Sequence, residues 1–219
     1  MIDLHTHSFF SDGSLIPSEL VFRAKNKGYE VIAITDHVDM SNLDFVIPRI
    51  VKISSILTSR YGIKVIPGAE LTYVPPDLIS QIAEQCRELG AKVILVHGET
   101  TVEPVPSGTN RAALSSKKVD ILSHPGKISG EEVELAKENS IFLEITSRKG
   151  HSLTNQHVGT LAKERGAKLI FNTDAHEPED LLNDQGALEV VKRAGMTKKD
   201  LELMFENARS LIRKVLKGA

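Results

Sequence analysis

The chain of 219 residues has few of the residue types that would point to several large classes of protein. It has one cysteine, Cys86, so it cannot form an intramolecular disulfide. Tryptophan is absent and aromatic residues make up 5% of the chain, so no extended surface for stacking nucleic-acid bases is expected. Its 27 basic and 29 acidic residues leave a net charge of -2, which argues against a long nucleic acid as the partner.

Long hydrophobic runs are also missing. Residues 1–30 contain no unbroken apolar stretch of the kind found in signal peptides and membrane spans, so we expect a cytoplasmic protein that does not associate with membranes. No Ser-rich or Pro-rich linker divides the chain, and we expect one domain over residues 1–219. The sequence leaves the oligomeric state open.

What the sequence does contain is a regular alternation of short apolar runs and amphipathic stretches. Runs rich in Val and Ile predict seven strands, at residues 1–5, 31–35, 64–68, 92–96, 119–123, 141–145 and 168–172. The intervening stretches have apolar residues at helical spacing, and most of them end at glycine. Nearly continuous hydrophobicity in the strands indicates a parallel sheet covered by helices. A last helix over 197–216 is predicted to close the fold.

Metal-ligand side chains follow almost every predicted strand: His5 and His7, His37, Glu70, His97, His124, and Asp174 with His176. Because alternate residues of a strand point the same way, the members of the first and last pairs can reach one cavity. In a parallel barrel the carboxyl ends of all strands meet at one face, whereas an open sheet would spread them along a line. The pattern therefore favours a closed α/β barrel.

The donor types at these positions indicate which metals would bind. Histidine nitrogen and carboxylate oxygen together suit zinc, manganese or iron, whereas a purely oxygen set would suggest magnesium or calcium. Burying so many ionisable groups in one cavity without a metal would leave several of them unpaired, at a high free-energy cost. The sequence therefore predicts a site for divalent transition metal ions.

Five ordered motifs resemble those of the PHP (polymerase and histidinol phosphatase) superfamily. They run from Asp3 to His176 and read D-L-H-T-H-S with S-D-G, T-D-H, G-A-E, S-H-P-G and N-T-D-A-H. The resemblance implies an α/β fold, a distorted TIM-like (β/α)7 barrel with a C-terminal closing helix, forming a single PHP-type catalytic domain over residues 1–219. It also implies a cluster of two or three divalent metal ions (Zn, Mn or Fe) at the mouth of the barrel.

The resemblance further implies three metal positions. The first takes two histidines and two carboxylates: His5, His7, Glu70 and Asp174. Glu70 would bridge to the second position, which takes His97 and His124. The third takes one carboxylate and two histidines: Asp12, His37 and His176. Some phosphatases of the family have a histidine near the position of Asp12, so this sequence departs from them at the third position.

Charge then indicates the chemistry. Divalent ions outweigh the ligand carboxylates, so the pocket would be positive and would favour an anion such as a phosphate ester. We expect hydrolysis by a hydroxide that bridges the metals, without a covalent enzyme intermediate. His37, Glu70 and His176 are expected to take part in catalysis, with His176 or a metal-bound water as general acid. Arg148 is expected to bind the phosphate through its planar guanidinium, and His151, close by in sequence, to touch the substrate.

Three functions share this fold and stay open from the sequence. The first is a phosphatase of small molecules, possibly similar to histidinol phosphatase, whose substrate would be a small phosphate ester. The second is a phosphodiesterase or nuclease that acts on nucleotides or short oligonucleotides. The third is a non-catalytic scaffold, because related barrels serve as subunits of RNA-protein assemblies. Every expected ligand position carries a ligating residue, which argues against the scaffold.

Overall fold

Residues 1–217, the part of the chain that this computed structural model describes, form eight strands and eight helices, which alternate except that β3 follows β2 and α8 follows α7. The strands are β1 (Ile2–Asp3), β2 (Val31–Ile34), β3 (His37–Val38), β4 (Lys64–Leu71), β5 (Val93–His97), β6 (Ile121–Ser123), β7 (Phe142–Thr146) and β8 (Leu169–Asn172). The helices are α1 (Pro17–Asn26), α2 (Leu43–Tyr61), α3 (Ile79–Glu88), α4 (Thr109–Ser115), α5 (Gly130–Asn139), α6 (Asn155–Arg165), α7 (Asp184–Arg193) and α8 (Lys198–Lys217). None of these helices is long and apolar enough to cross a membrane.

Seven of the strands form a nearly closed parallel barrel. They pair in the order β1-β2-β4-β5-β6-β7-β8, and β3 pairs only with β4. The first and last strands meet just beyond their ends, where Thr6 and Ala175 form a parallel bridge and the His7 N–H donates to the Ala175 carbonyl oxygen at 2.9 Å. The predicted (β/α)7 barrel is confirmed.

The strand boundaries differ from the predicted ones where hydrogen-bond partners change. The first strand was predicted over 1–5 but contains only Ile2–Asp3, because the next amide, that of Leu4, donates to the side chain of Asn172 at 2.8 Å rather than to a backbone carbonyl. The third predicted strand extends to Leu71, since it pairs with β5 on one side and with β2 and then β3 on the other. The two residues of β3 lie outside the seven predicted strands.

The barrel interior is apolar at the amino ends of its strands. The buried side chains that pack together there come from the barrel strands and from α8: Ile2, Leu4, Ala33, Ile66, Val93, Leu95, Ile121, Phe142, Ile170, Ala208, Leu211 and Ile212. The helix α8 therefore closes this end of the barrel, as predicted for residues 197–216. A second, larger apolar layer lies between the barrel and the surrounding helices. The histidines and carboxylates predicted as metal ligands lie at the opposite end, where the carboxyl ends of the strands meet.

Candidate metal centre

The carboxyl ends of the barrel strands bring together all nine residues predicted as metal ligands: His5, His7, Asp12, His37, Glu70, His97, His124, Asp174 and His176. Seven of the nine are buried, whereas His37 is partly exposed and the Asp12 side chain is 55% exposed. The side chains predicted as ligands therefore lie together in space. They form a buried floor and a more open side near Asp12.

The floor consists of two histidines and two carboxylates. His5 Nε2 lies 3.2 Å from Glu70 Oε2 and 3.6 Å from Asp174 Oδ1. His7 Nε2 lies 3.2 Å from the same Asp174 oxygen and 3.6 Å from the same Glu70 oxygen. Burial and the neighbouring His37 lower the pKa of His7 to about 3, so this ring is neutral and can ligate a metal. These four side chains are the set predicted for the first position.

Glu70 faces three groups of histidines at once. Its Oε1 atom lies 3.9 Å from His124 Nε2, while Oε2 lies 3.0 Å from His37 Nδ1 and close to the floor histidines. Burial alone would raise the pKa of this carboxyl, but the neighbouring His5 and His37 outweigh burial and hold the pKa well below its usual range. An ionised carboxylate between separate histidine groups has the arrangement that a bridging ligand needs.

The open side of the centre is formed around Asp12. Its Oδ1 atom lies 3.2 Å from His176 Nε2, 3.5 Å from His37 Nε2 and 3.9 Å from His7 Nδ1. One ligand atom of each of these four residues lies within 4.8 Å of the others. Although partial burial opposes it, hydrogen bonding to His176 and His37 holds the pKa of Asp12 well below its usual range. The predicted third set is thus brought together, with His7 added to it.

The S-D-G loop that presents this carboxylate is fixed by two local features. Gly13 packs so closely on the backbone of His7 that a Cβ atom there would lie 2.4 Å from the His7 carbonyl oxygen, so only glycine fits. The carboxylate of Asp36, in the T-D-H motif, accepts hydrogen bonds from the hydroxyl groups of Ser8 and Ser11, both at 2.7 Å, and from their amides. Asp36 therefore orders the loop rather than facing the metal centre.

A third group consists of histidines alone. One ring nitrogen from each of His97, His124 and His151 lies within 4.8 Å of the other two. The sequence prediction named His97 and His124 as ligands and gave His151 only a contact with substrate. His151 is 5% exposed and begins a short 3-10 turn after Gly150, which brings it beside the other two rings. The structure therefore adds a histidine that no motif had identified.

Two of the predicted ligands have a backbone conformation that residues other than glycine rarely adopt. His124 has φ of 26° and Asp174 has φ of 55°, both in the left-handed half of conformational space. Such conformations cost on the order of 1–3 kcal/mol and persist only where the surroundings hold them. His124 comes directly after β6 and Asp174 lies two residues after the end of β8, and this unusual backbone aims their side chains into the centre.

Glu144 is a functional candidate that the sequence prediction missed. It is wholly buried on β7, where its carboxylate accepts hydrogen bonds from His5 Nδ1 at 2.8 Å, His124 Nδ1 at 3.2 Å and Asn172 Nδ2 at 2.8 Å. Burial opposes ionisation, but the charge of His5 and the hydrogen bonds from both histidines lower the pKa of Glu144 to about 2. A signal was present, since Glu144 is the charged residue inside the apolar run I-F-L-E-I.

Arg148 lies at the open side of the centre and is already paired. Its guanidinium donates to Asp180 Oδ2 at 3.1 Å, and the same oxygen accepts the backbone N–H of His176 at 3.0 Å. The Arg148 side chain is 30% exposed. Asp180 therefore holds the Arg148 guanidinium next to His176. The predicted contact with phosphate would require the guanidinium to leave Asp180.

The donor atoms at the centre fit a group of cations. Among residues 1–217, several buried nitrogen and oxygen atoms at the centre have no hydrogen-bond partner: His5 Nε2, both ring nitrogens of His7, both carboxylate oxygens of Glu70, His124 Nε2 and Asp174 Oδ1. Leaving such atoms unpaired in a protein interior costs several kcal/mol in total, on the order of 1–3 kcal/mol each. Lone pairs from imidazole and carboxylate that converge in this way suit transition metal ions.

Comparison with known proteins identifies the family. The family model described as "PHP domain" matches residues 3–163, which is well over half of the chain. The chain belongs to the PHP domain family. The resemblance to the PHP superfamily is thereby confirmed, and the match includes the first four of the five motifs, with His5, Glu70 and His124 of the centre.

Three relatives show how this PHP domain compares with other proteins. An uncharacterised protein of Methanocaldococcus jannaschii is 50% identical, over 91% of this chain and 92% of the relative. The DNA polymerase/3'-5' exonuclease PolX of Bacillus subtilis is 28% identical over 95% of this chain, which spans 39% of that protein. A Shewanella pealeana protein named "Probable phosphatase" is 28% identical, over 89% of this chain and 84% of the relative.

Two solved structures share the fold of this PHP domain. A chain in the cryo-EM structure of an archaeal ribonuclease P with mature tRNA has a TM-score of 0.75 and 18% identity, with 98% of this chain and 91% of that chain covered. A two-domain protein of Bacteroides vulgatus that contains a PHP-like metal-dependent phosphoesterase has a TM-score of 0.54 and 17% identity, with 99% and 68% covered. At these identities the likeness concerns the fold.

Proposed function

We propose that this PHP domain hydrolyses a small phosphate ester in a reaction that depends on two or three divalent transition metal ions, Zn, Mn or Fe. The observation that carries the proposal is the convergence of imidazole nitrogens and carboxylate oxygens, many buried and without hydrogen-bond partners, at the mouth of the barrel. Metal ions bound there would polarise phosphoryl oxygens and lower the pKa of a bound water to near neutrality. Membership of the PHP family and the relative named as a phosphatase support the same reaction class.

The size of the adjoining cavity favours a small substrate. A cavity of about 330 Å³ opens beside the centre and is lined by Asp12, His37, Thr72, Tyr73 and Glu103, among others. This volume lies at the lower end of the range for small-molecule sites, roughly 300–1,000 Å³. The ester group would lie at Asp12 and His37, and the remainder of the molecule would occupy the cavity. A duplex nucleic acid is not expected to fit there.

The protein's own side chains would share the work around the phosphate. Arg148 would turn its planar guanidinium from Asp180 to the phosphate oxygens, for which its geometry is suited. His176, whose Nε2 atom faces Asp12, would give a proton to the leaving oxygen only when the third position holds no ion, because a nitrogen that ligates a metal carries no proton. Glu70 and His37 would keep the ions in position as ligands, and Glu70 lies between the groups of histidines.

The likeness to PolX favours a second candidate, hydrolysis of a phosphodiester in nucleotides or short oligonucleotides. PolX is named as a 3'-5' exonuclease, and this chain aligns with it over 95% of its own length. The fold shared with a chain of archaeal ribonuclease P supports a third candidate, a scaffold without catalysis. The full set of convergent ligand side chains argues for an enzyme over a scaffold. Burying these side chains costs free energy, and a scaffold that binds no metal would gain nothing in return.

Metal analysis and a phosphate-release screen test the proposal. Protein purified without chelator should carry two or three transition metal ions per chain, and folded protein with almost none would contradict it. The screen measures release of inorganic phosphate from histidinol phosphate, nucleoside monophosphates and nitrophenyl phosphate, and release of nitrophenol from bis(nitrophenyl) phosphate, so that activity on the diester alone would favour the second candidate. His37→Ala should lower turnover by about 100-fold or more, since effects of this size follow the loss of a group that acts on the transition state.

The matched control is His157→Ala. His157 is an exposed residue of α6 whose Nε2–H donates to the Ile128 carbonyl oxygen, and it belongs to none of the groups of ligand side chains at the centre. This variant should keep both its metal content and its turnover. If the two variants have equal activity, His37 has no part in the reaction.

A further inference from the structure

His151 shares the surroundings of the predicted ligands although no motif contains it. Its ring centroid lies 4.2 Å from that of His124 and 5.8 Å from that of His97. It is buried like the other two histidines, with 5% of its surface exposed against 2% for each of them. The two histidines predicted for the second metal position therefore have a third imidazole directly beside them.

Three of the predicted ligand histidines share one pattern of hydrogen bonds at their ring nitrogens. In His5 and His124 the Nδ1 atom pairs with the Glu144 carboxylate, and in His97 it pairs with the Gly98 carbonyl oxygen at 3.1 Å. In each case Nδ1–H donates to a fixed oxygen of the protein, so in the neutral ring, the form that binds a metal, the lone pair is on Nε2, which faces the centre. This is how proteins set the tautomer and the direction of histidines that bind metals.

His151 follows the same pattern. Its Nδ1 atom lies 2.9 Å from the hydroxyl oxygen of Thr100, which is itself buried. When Nδ1–H donates to that oxygen, the lone pair is on Nε2, toward His97 and His124. Thr100 therefore fixes the direction of the ring as well as satisfying a buried nitrogen.

A half-exposed carboxylate lies beside two of these three rings. Glu103 Oε2 lies 3.1 Å from His97 Nε2 and 3.6 Å from His151 Nε2, so one oxygen faces both rings. The loops that carry Glu103 and His151 pack on each other, since a Cβ atom at Gly150 would meet a methyl group of Val102 at 3.2 Å. Three imidazoles with a carboxylate form a donor set typical of zinc and similar ions.

We propose that His151 is a third imidazole ligand of the metal position that His97 and His124 form, with Glu103 as a carboxylate ligand from the facing loop and Thr100 as the residue that positions the ring. The inference rests on the proposed function, because it assigns ligands to one of its metal positions. It differs from a contact between His151 and substrate, which would change turnover without changing how the metal is held.

The test measures metal binding rather than activity. Chelator-stripped His151→Ala, His157→Ala and unchanged protein are titrated with Zn²⁺ against a chelator of known affinity, and with Co²⁺ while its visible absorption is recorded. We expect His151→Ala to lose one ion per chain, or to bind one ion about 10- to 100-fold more weakly, with an altered Co²⁺ spectrum. His157→Ala should match the unchanged protein in both titrations.

Thr100→Val provides a second variant in case the alanine substitution prevents folding. Valine keeps the shape of threonine but offers no oxygen to His151 Nδ1, so the same ion should be bound about 10-fold more weakly. Equal ion counts and equal affinities in folded His151→Ala and unchanged protein would overturn the inference, and so would a loss of turnover with metal binding intact. If the unchanged protein binds no metal, the proposed function itself fails, which is a different result.

Discussion

The histidines of the centre depend on oxygen atoms that face away from the predicted metal positions. Glu144 holds His5 and His124 through their Nδ1 atoms, and the backbone carbonyl of Asp174 does the same for His176 at 3.0 Å. These partners decide which ring nitrogen carries the lone pair and where it points. At the scale of single residues, the affinity for metal therefore depends on side chains that need not touch a metal at all.

Glu144→Gln tests this dependence. The amide has the same size, but its nitrogen cannot accept the hydrogen bonds that one carboxylate oxygen receives from the His124 backbone N–H and ring. We expect metal affinity to fall by about 10- to 100-fold, and the free energy of unfolding of the metal-free protein to fall by about 1–3 kcal/mol. Titration of chelator-stripped protein and urea unfolding measure the two effects.

Glu134→Gln is the matched control for this substitution. Glu134 lies exposed on α5, where it forms an ion pair with Arg165. Because surface pairs contribute little, its loss should change the free energy of unfolding by less than about 1 kcal/mol and leave metal affinity unchanged. Equal metal affinities in both variants would mean that Glu144 does not orient the ligand histidines.

At the scale of elements, α8 has a different task from the other helices. Its Ala208, Leu211 and Ile212 pack with the strand residues of the barrel interior, at the end opposite the metal centre. The helix begins after Thr197, whose hydroxyl oxygen accepts the N–H of Asp200 at 3.3 Å, so its first turn is capped. The helix thus completes the apolar half of the barrel and leaves the mouth to the loops.

Leu211→Ala and Leu203→Ala test the closing role on one helix. Leu211 is 1% exposed inside the barrel end, whereas Leu203 is 55% exposed on the outer face. We expect Leu211→Ala to lower the free energy of unfolding by about 2–5 kcal/mol through lost burial and a cavity. Leu203→Ala should change it by less than about 0.5 kcal/mol.

Urea unfolding measures both leucine variants. Metal content should be the same in both, since neither residue is near the centre. If the two variants are equally stable, α8 is not part of the barrel core.

At the scale of the whole molecule, the barrel interior is divided by polarity. The amino ends of the strands are filled with aliphatic side chains and closed by α8, while the carboxyl ends hold a cluster of histidines and carboxylates. The apolar half stabilises the fold through burial. The polar half contains buried atoms without partners, so the metal-free protein keeps an unfavourable contribution there that bound cations would remove.

Binding of metal should therefore stabilise the whole chain. A ligand that binds only the folded state at 1,000 times its dissociation constant adds about 4 kcal/mol to the free energy of unfolding. Chelator-treated protein should melt several degrees lower than protein with excess Zn²⁺ or Mn²⁺, by calorimetry. Because ligand histidines must lose their protons, the difference should be larger at pH 8 than at pH 6. Equal melting temperatures with and without metal would contradict the prediction.

The local order of the sequence was enough to predict much of this protein. Apolar runs of strand length indicated the seven barrel strands, and the residues that follow them indicated eight of the nine side chains that the fold brings together, while Asp12 came from the resemblance to the PHP superfamily. Both signals are local, because a strand sets its own alternation and parallel strands deliver their carboxyl ends to one face. The same reasoning found α8, whose apolar spacing is visible along one stretch of chain.

Only the tertiary structure decided which groups share an oxygen or a cavity. Glu144 lies 139 residues from His5 in sequence, where it is simply one residue of a predicted strand. Only the folded barrel brings its carboxylate to the His5 ring. His151 meets His97 and His124 because two loops after different strands fold over one another. Contacts of this kind depend on strand order, closure of the barrel and loop packing, and no short-range pattern encodes them. The sequence by itself therefore determined the barrel and the predicted ligands, whereas the structure decided what orients those ligands and which residues join them.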